Sequence, residues 1–218
     1  MSKRTLARVG GLAAILAGIF WGFTLPLIAT QATDDPVGLR YDDFNRWFTL
    51  PLALSLVTLL ALRVLLGRRL PRSGQVGTAL AAGGAALMLL GNLVEFWLVF
   101  LTDDYVSAIA EGRRVEEWAG STVGWLGFLA GIALLLVGGS LVALAAQRAR
   151  ALPAWAGVVL AATAPALLAA AVLWASSVEA TIVVAIALGL AWNALGIWMR
   201  ARATGLAEAA FVATEPRA

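Results

Sequence analysis

Residues 78–101 read TALAAGGAALMLLGNLVEFWLVFL, and this stretch decides the fold class. A helix needs about 20 largely apolar residues to cross a bilayer, and this run supplies them with a single charge, Glu95. Small and aliphatic side chains follow one another without the strict alternation of a barrel strand. The stretch therefore predicts a transmembrane helix.

Five further stretches have the same character. Hydrophobic residues make up 61% of the 218-residue chain and charged residues 13%, against about 25% charged in a typical soluble domain. We predict an all-α, polytopic bundle that forms one domain over residues 1–218, with short interfacial helices in the outer loops and a cytoplasmic tail over 203–218. The six predicted spans are roughly 9–29, 48–66, 78–101, 122–146, 153–175 and 178–199.

Basic residues sort to one side of these spans. Most of the 16 flank the N-terminus, the second and fourth connections or the C-terminus. The positive-inside rule then places both termini in the cytoplasm. Heavy use of Ala, Gly and Arg with a single Lys indicates a bacterium with a high-GC genome, and hence its inner membrane. Anionic lipid headgroups are the expected partners of these arginines, and nucleic acid is not, despite a pI of about 10.2. The residues are Lys3, Arg4, Arg8, Arg63, Arg68, Arg69, Arg72, Arg148, Arg150, Arg200, Arg202 and Arg217.

The first span has an alternative interpretation as a secretory signal peptide. Its basic start and the sequence Thr30-Gln31-Ala32 resemble a signal with a cleavage site. The apolar region of a signal usually runs for about 7–15 residues, and this one is longer. A retained span is therefore favoured; cleavage would leave five spans.

The chain lacks the residues that several kinds of catalytic and metal site require. The chain has no Cys and no His, so disulfides, thiolate catalysis and the usual zinc and haem ligands are absent. No phosphate-binding GxxxxGK[ST] sequence occurs. We therefore predict no catalytic residues, no metal site, no cofactor and no enzymatic activity.

Glu95 is the one charge inside a predicted span. It precedes Thr102 by seven residues, which places it about 10 Å below the outer end of the helix. A buried carboxylate usually faces a bundle interior, because lipid exposure costs several kcal/mol. Asn92 flanks it, and Glu95 shares a helical face with small residues. Burial favours the protonated form, whereas a nearby arginine favours the carboxylate. The candidate partners in the outer loops are Arg40, Arg46, Arg113 and Arg114.

Three tryptophans are predicted at a similar depth to Glu95. These are Trp21, Trp125 and Trp174, in the first, fourth and fifth spans. A carboxylate among indole rings would suit an organic cation through charge and ring quadrupole together. Trp97 falls on the opposite helical face and is left out of this predicted site. The candidate proton- or ligand-binding set is thus Glu95, Asn92 and the three tryptophans.

Glycines predict where helices approach closely. In lipid, small residues let helix backbones come into contact. Packing within the chain is the expected role, and a homo-oligomer or a partner subunit is the alternative. The residues are Gly18 and Gly22 in the first span, Gly77, Gly84 and Gly91 in or next to the third, and Gly127 and Gly131 in the fourth.

A short recurrence raises the question of an internal repeat. Leu16-Ala17-Gly18-Ile19 in the first span returns as Leu129-Ala130-Gly131-Ile132 in the fourth. Three spans per half would give an inverted repeat, as in many transporters. Four matching residues in a chain so rich in Ala, Leu and Gly are close to what chance produces.

Three segments carry a family resemblance: Gly91–Trp97, Gly138-Gly139-Ser140 and Arg148–Trp155. Together they resemble uncharacterised multi-pass membrane proteins of actinobacteria. The resemblance implies a six-span topology and no particular activity. Two functions stay open: small-molecule or ion handling centred on Glu95, and a non-catalytic accessory subunit of a membrane complex.

Overall fold

The computed structural model describes residues 2–24, 26, 46–67, 69–98, 115–173 and 177–214. Within these ranges the chain forms six helices. They are α1 (Lys3–Ile19), α2 (Thr49–Leu66), α3 (Arg72–Leu93), α4 (Val115–Arg148), α5 (Ala154–Leu173) and α6 (Val178–Thr214), and short π-helical turns continue α1 over Phe20–Thr24 and α3 over Val94–Leu98.

The predicted all-helical fold is confirmed. Five of the helices are long and apolar enough to cross a membrane: Lys3–Thr24, Thr49–Leu66, Arg72–Trp97, Gly124–Arg148 and Val178–Gly205. In α5 the stretch Ala154–Ala170 is apolar but shorter. The interfacial helices predicted in the outer loops fall largely on residues 27–45 and 99–114, outside the described residues. α6 continues to Thr214, so most of the predicted tail is helical.

Local signals in the sequence explain several helix ends. The Ser2 hydroxyl accepts a hydrogen bond from the Thr5 amide and caps α1, and the Ser177 hydroxyl accepts one from the Ala180 amide at α6. After α4 the backbone turns through Arg150, whose φ of 49° is left-handed. The Ala151 amide donates to the Ala146 carbonyl across this turn, which is the Schellman ending of a helix.

The helices form a closed ring. Each packs against its neighbours in the chain, and α1 packs against α6. The ring has two ends. We call one the arginine end, because the exposed Arg63, Arg72, Arg148 and Arg200 lie there, and the other the Glu95 end. α1, α3 and α5 run from the arginine end to the Glu95 end, and α2, α4 and α6 run back.

Glycine contacts hold the two most extensively packed helix pairs together. Between α3 and α4, a Cβ placed on Gly84 would lie 2.5 Å from the carbonyl oxygen of Gly131. Between α1 and α6, a Cβ on Gly18 would lie 2.5 Å from the carbonyl oxygen of Gly189. Real Cβ atoms do not approach this closely, so both pairs require glycine.

The predicted packing stripe of α3 lies inside the bundle. Gly77, Gly84 and Gly91 are buried, whereas Leu90 on the other face is 56% exposed. Gly77 lies against Leu141 and Val142 of α4. These glycines, like Gly18, Gly22, Gly127 and Gly131, make their contacts within one chain.

Candidate functional site

The Glu95 end is distinguished by its two π-helical turns. Phe20–Thr24 ends α1 and Val94–Leu98 ends α3. A π turn inserts one extra residue into a helical turn and occurs frequently at functional sites. Both turns contact the start of α2, since Trp21 packs against Phe48 and Thr49 bonds to Trp97.

Glu95 lies in the second π turn and faces α4. A Cβ placed on Gly124 would overlap the Glu95 carboxylate and would lie 2.9 Å from the Glu95 Cβ. The side chain is partly buried, so it points into the helix interface, as its position in the sequence predicts. Gly124 thus provides the space that a carboxylate occupies.

Arg46, one of the four candidate partners, lies at the same π turn. Its Nε donates a hydrogen bond of 3.0 Å to the carbonyl oxygen of Phe96, the residue after Glu95. Its guanidinium carbon lies 5.9 Å from the centre of the Trp97 ring, a cation–π distance. A π turn leaves carbonyl groups without their α-helical partners, and Arg46 supplies a charged donor to one of them.

The charges of Glu95 and Arg46 differ from the others in the described part of the chain. All other charged side chains whose exposure is described are solvent- or lipid-exposed; these two are partly buried. A partly buried acid in this π turn and a partly buried base that donates to the backbone of the same turn therefore lie at one end of the bundle. Burial of opposite charges beside each other costs less than burial of either alone.

A polar network links Asn92 to this turn. The Thr49 hydroxyl donates to Asn92 Oδ1 at 2.7 Å and accepts from the indole nitrogen of Trp97 at 2.8 Å. Asn92, from the predicted set, thus lies one helical turn from Glu95 and is held by α2. The network joins the start of α2 to both sides of the π turn.

Trp21 belongs to the neighbouring interface. It is 4% exposed, donates from Nε1 to the Ser55 hydroxyl at 3.4 Å, and meets the Phe48 ring edge-on at 5.7 Å. The connection to the Asn92 network runs through α2, because Phe48 adjoins Thr49. Trp21 therefore supports the site from the side of α1.

Trp125 points away from the bundle. It is 53% exposed and packs edge-on against Phe128, although Gly124 beside it faces Glu95. Trp174, Arg40, Arg113 and Arg114 lie outside the described residues, so the structure places only Trp21, Trp125 and Arg46 of the predicted tryptophans and arginines.

Sequence reasoning missed Thr49 and Trp97. Trp97 was set aside because an uninterrupted α-helix places it opposite the polar face. Its ring is 42% exposed, yet its N–H reaches Thr49 through the π turn. Two polar residues three positions apart at the start of a span, Arg46 and Thr49, were the available signal.

A cavity lies inside the ring of helices, midway between the arginine end and the Glu95 end. It holds about 10 Å³, room for roughly one water, and its lining includes Leu62, Thr78, Val142 and Thr163. Trp192 closes one side, and its indole nitrogen donates to the Thr163 hydroxyl at 3.1 Å. Glu95 is not among the residues that line it.

Comparisons with known proteins give no relative. No family description, no curated protein and no solved structure matches this chain. Among the described residues, no group of three acidic side chains is placed to hold a metal ion. The resemblance to actinobacterial membrane proteins stays a prediction, and function must be argued from the Glu95 end.

Proposed function

We propose that this chain is a six-span bacterial inner-membrane protein, with both termini cytoplasmic, that binds and moves a proton or a small cation at Glu95. The observation that carries the proposal is the pairing of low exposure with opposite charge. Glu95 lies in the π turn to which Arg46 bonds through the Phe96 carbonyl, and charged groups within a span usually mark ion or proton pathways.

Arg46 would control cation binding at Glu95. Its guanidinium, held on the Phe96 carbonyl, places a positive charge beside the turn that carries Glu95 and so disfavours a second cation there. A shift of Arg46 away from the π turn would release the restraint and let Glu95 take up a proton or cation.

The polar network supplies a route for such a shift. Hydrogen bonds among Thr49, Asn92 and Trp97 connect the start of α2 to the π turn. A displacement of α2 would therefore move the Phe96 carbonyl, to which Arg46 donates. Residue 46 directly precedes α2 in the chain. Movement of this helix end would therefore act on Glu95 through short polar contacts.

Charge movement across reconstituted membranes tests the proposal. Wild-type protein in liposomes on a solid-supported membrane should give a capacitive current after a pH jump or a jump in monovalent cation concentration. Glu95→Gln keeps the shape and removes the charge, so the current should disappear. Glu179→Gln is the matched control, because Glu179 is an exposed glutamate at the same end of the bundle.

Two results would contradict the proposal. One is a current of equal size in Glu95→Gln and wild type. The other is no current in the wild type for protons or for any of the cations tested. Thermal unfolding of both variants shows whether a lost current reflects a lost fold.

The packing of Glu95 favours a second function. Glu95 is packed tightly against Gly124, which is how a structural glutamate at a helix interface would lie. This contact favours an accessory subunit in which the polar cluster only fastens α2, α3 and α4 together. In that case Glu95→Gln should lower stability, and the wild-type protein should purify from membranes with a stoichiometric partner.

A further inference from the structure

The glycine contacts of the two halves of the chain repeat in detail. A Cβ on Gly131 of α4 would meet the Gly84 carbonyl at 2.7 Å and the Met88 amide of α3 at 3.1 Å. A Cβ on Gly18 of α1 would meet the Gly189 carbonyl at 2.5 Å and the Asn193 amide of α6 at 2.8 Å. In both pairs the added Cβ meets the carbonyl oxygen of a glycine and the amide nitrogen four residues after that glycine.

The correspondence continues two helical turns further on. A Cβ placed on Gly91 of α3 would lie 3.1 Å from the Gly124 carbonyl oxygen of α4, and one placed on Gly196 of α6 would lie 2.5 Å from the Gly11 carbonyl oxygen of α1. Beyond these glycines the Glu95 side chain covers Gly124. The equivalent side chain, Arg200, covers Gly11, where an added Cβ would lie 2.7 Å from the Arg200 Cγ.

The middle helices of the two halves match as well. The Thr58 hydroxyl of α2 donates to the Leu54 carbonyl at 2.9 Å, and the Thr163 hydroxyl of α5 donates to the Val159 carbonyl at 2.7 Å. Both threonines are buried and precede the same pair, Ala-Leu, at the same distance. The numbering shift from α2 to α5 equals the shift from α3 to α6.

The sequence shows the same register. Gly84-x-Ala86-x-x-x-Leu90-Gly91 in α3 returns in α6 as Gly189-x-Ala191-x-x-x-Leu195-Gly196. The earlier recurrence, residues 16–19 with 129–132, aligns α1 with α4 so that Gly18 corresponds to Gly131. The contacts and the residues of each helix pair thus share one register. Each helix runs opposite to its equivalent, so the repeat is inverted.

The halves differ in the helical conformation of two equivalent segments. In the first half, α1 and α3 end in π turns, over Phe20–Thr24 and Val94–Leu98. The equivalent residues of the second half, 133–137 and 199–203, lie in unbroken α-helix. These equivalents lie towards the arginine end. The repeat is thus symmetric in its glycine contacts and asymmetric in the conformation of these equivalent segments.

We infer that the two halves, α1–α3 and α4–α6, exchange these states, so that the Glu95 end and the arginine end open in alternation. This inference rests on the proposed transport function. In the second state, residues 133–137 of α4 and 199–203 of α6 would take the π-turn arrangement, and α1 and α3 would become continuous α-helices. Glu95 and Arg200 would then be the equivalent groups at the two openings, an acid on one side and a base on the other.

Engineered cysteine pairs test the exchange, because the chain has no native cysteine. Thr49→Cys with Asn92→Cys reports the state described here, since these side chains are in contact. Ala154→Cys with Ile197→Cys is the equivalent pair at the arginine end; both residues are exposed. Thr49→Cys with Ile197→Cys joins opposite ends and measures background oxidation.

The decisive variant carries both pairs. After mild oxidation in membranes and alkylation of free thiols, intact mass gives the number of disulfides in each molecule. Exchange predicts that each pair closes when present alone. In the four-cysteine variant, molecules with both disulfides should fall well below the product of the two single-pair fractions. Failure of the Ala154/Ile197 pair to close, or closure of both pairs independently, overturns the inference.

Spin labels give a second measurement if these cysteines disturb the network. The pairs Leu50/Leu93 and Trp155/Trp198 are equivalent and lie outside the network; Leu50 and Trp155 are exposed, and Leu93 and Trp198 are half-buried. Exchange predicts two distances in each pair with complementary populations; one distance in each overturns it. Neither readout needs a transported substrate. Absent charge movement with mutually exclusive disulfides would therefore contradict the transport proposal while leaving the two-state repeat intact.

Discussion

Glu95 lies so close to Gly124 that no Cβ fits between the carboxylate and the backbone of α4. α3 carries the charged side chain, and α4 has a glycine where any side chain would occupy the same space. The position of the carboxylate therefore depends on a residue far away in sequence, and a single methyl group at that residue tests it.

Gly124→Ala should displace Glu95 from α4. The added methyl overlaps the carboxylate, and crowding of this kind costs about 1–3 kcal/mol when the neighbour cannot yield. Thermal unfolding in detergent measures the loss. Glu95→Ala in the same background should recover part of it, because the clash is removed; no recovery would show that Glu95 is not the group displaced.

Gly84→Ala should destabilise the α3–α4 pair by about 1–3 kcal/mol, because its Cβ would press on backbone atoms of Gly131 and Leu135. Gly83→Ala is the matched control. A Cβ at Gly83 meets nothing within 4 Å, so the better helix propensity of alanine should leave stability equal or slightly raised. Equal melting temperatures for the two variants would argue against this packing.

Trp192→Phe should lower stability by about 1 kcal/mol or more, because it removes the indole donor to the buried Thr163 hydroxyl and enlarges the central cavity. Chemical unfolding in mixed micelles gives the difference. Trp155→Phe, at a tryptophan that is 42% exposed, should change little. A larger loss at Trp155 than at Trp192 would contradict the assigned core.

Arg150→Gly should raise stability by up to about 1 kcal/mol, because glycine adopts the left-handed conformation that costs other residues energy. Arg148→Gly provides the contrast: it puts glycine into the last turn of α4 and should cost about 1 kcal/mol. Melting temperatures that move in the same direction would rule out this account of the turn.

The proposed sidedness can be checked by single-cysteine labelling. Thr33→Cys, in the first predicted outer loop, should react with a membrane-impermeant maleimide in intact cells. Ser73→Cys, exposed at the start of α3, should react only after lysis. The reverse pattern would place the termini outside.

The sequence predicted the helical class and the inward direction of Glu95, because hydropathy and the spacing of small residues depend only on local order. Asn92 was identified for the same reason. Thr49 and Trp97 were missed because a π turn changes the helical phase of the residues after it, and the local sequence gives no signal of the extra residue. The repeat was visible as four residues, but its register emerged only when the contacts of Gly18 and Gly131 could be compared.

The ring also implies an order of assembly. α3 and α4 are consecutive in the chain, so their glycine contacts can form as soon as both have left the ribosome and entered the membrane. The glycine contacts between α1 and α6 join the first helix made to the last. α1 must therefore wait in the bilayer, its glycine face uncovered, until synthesis is nearly complete. Truncation before Gly189 should consequently leave α1 open to quality-control proteases while the α3–α4 hairpin persists.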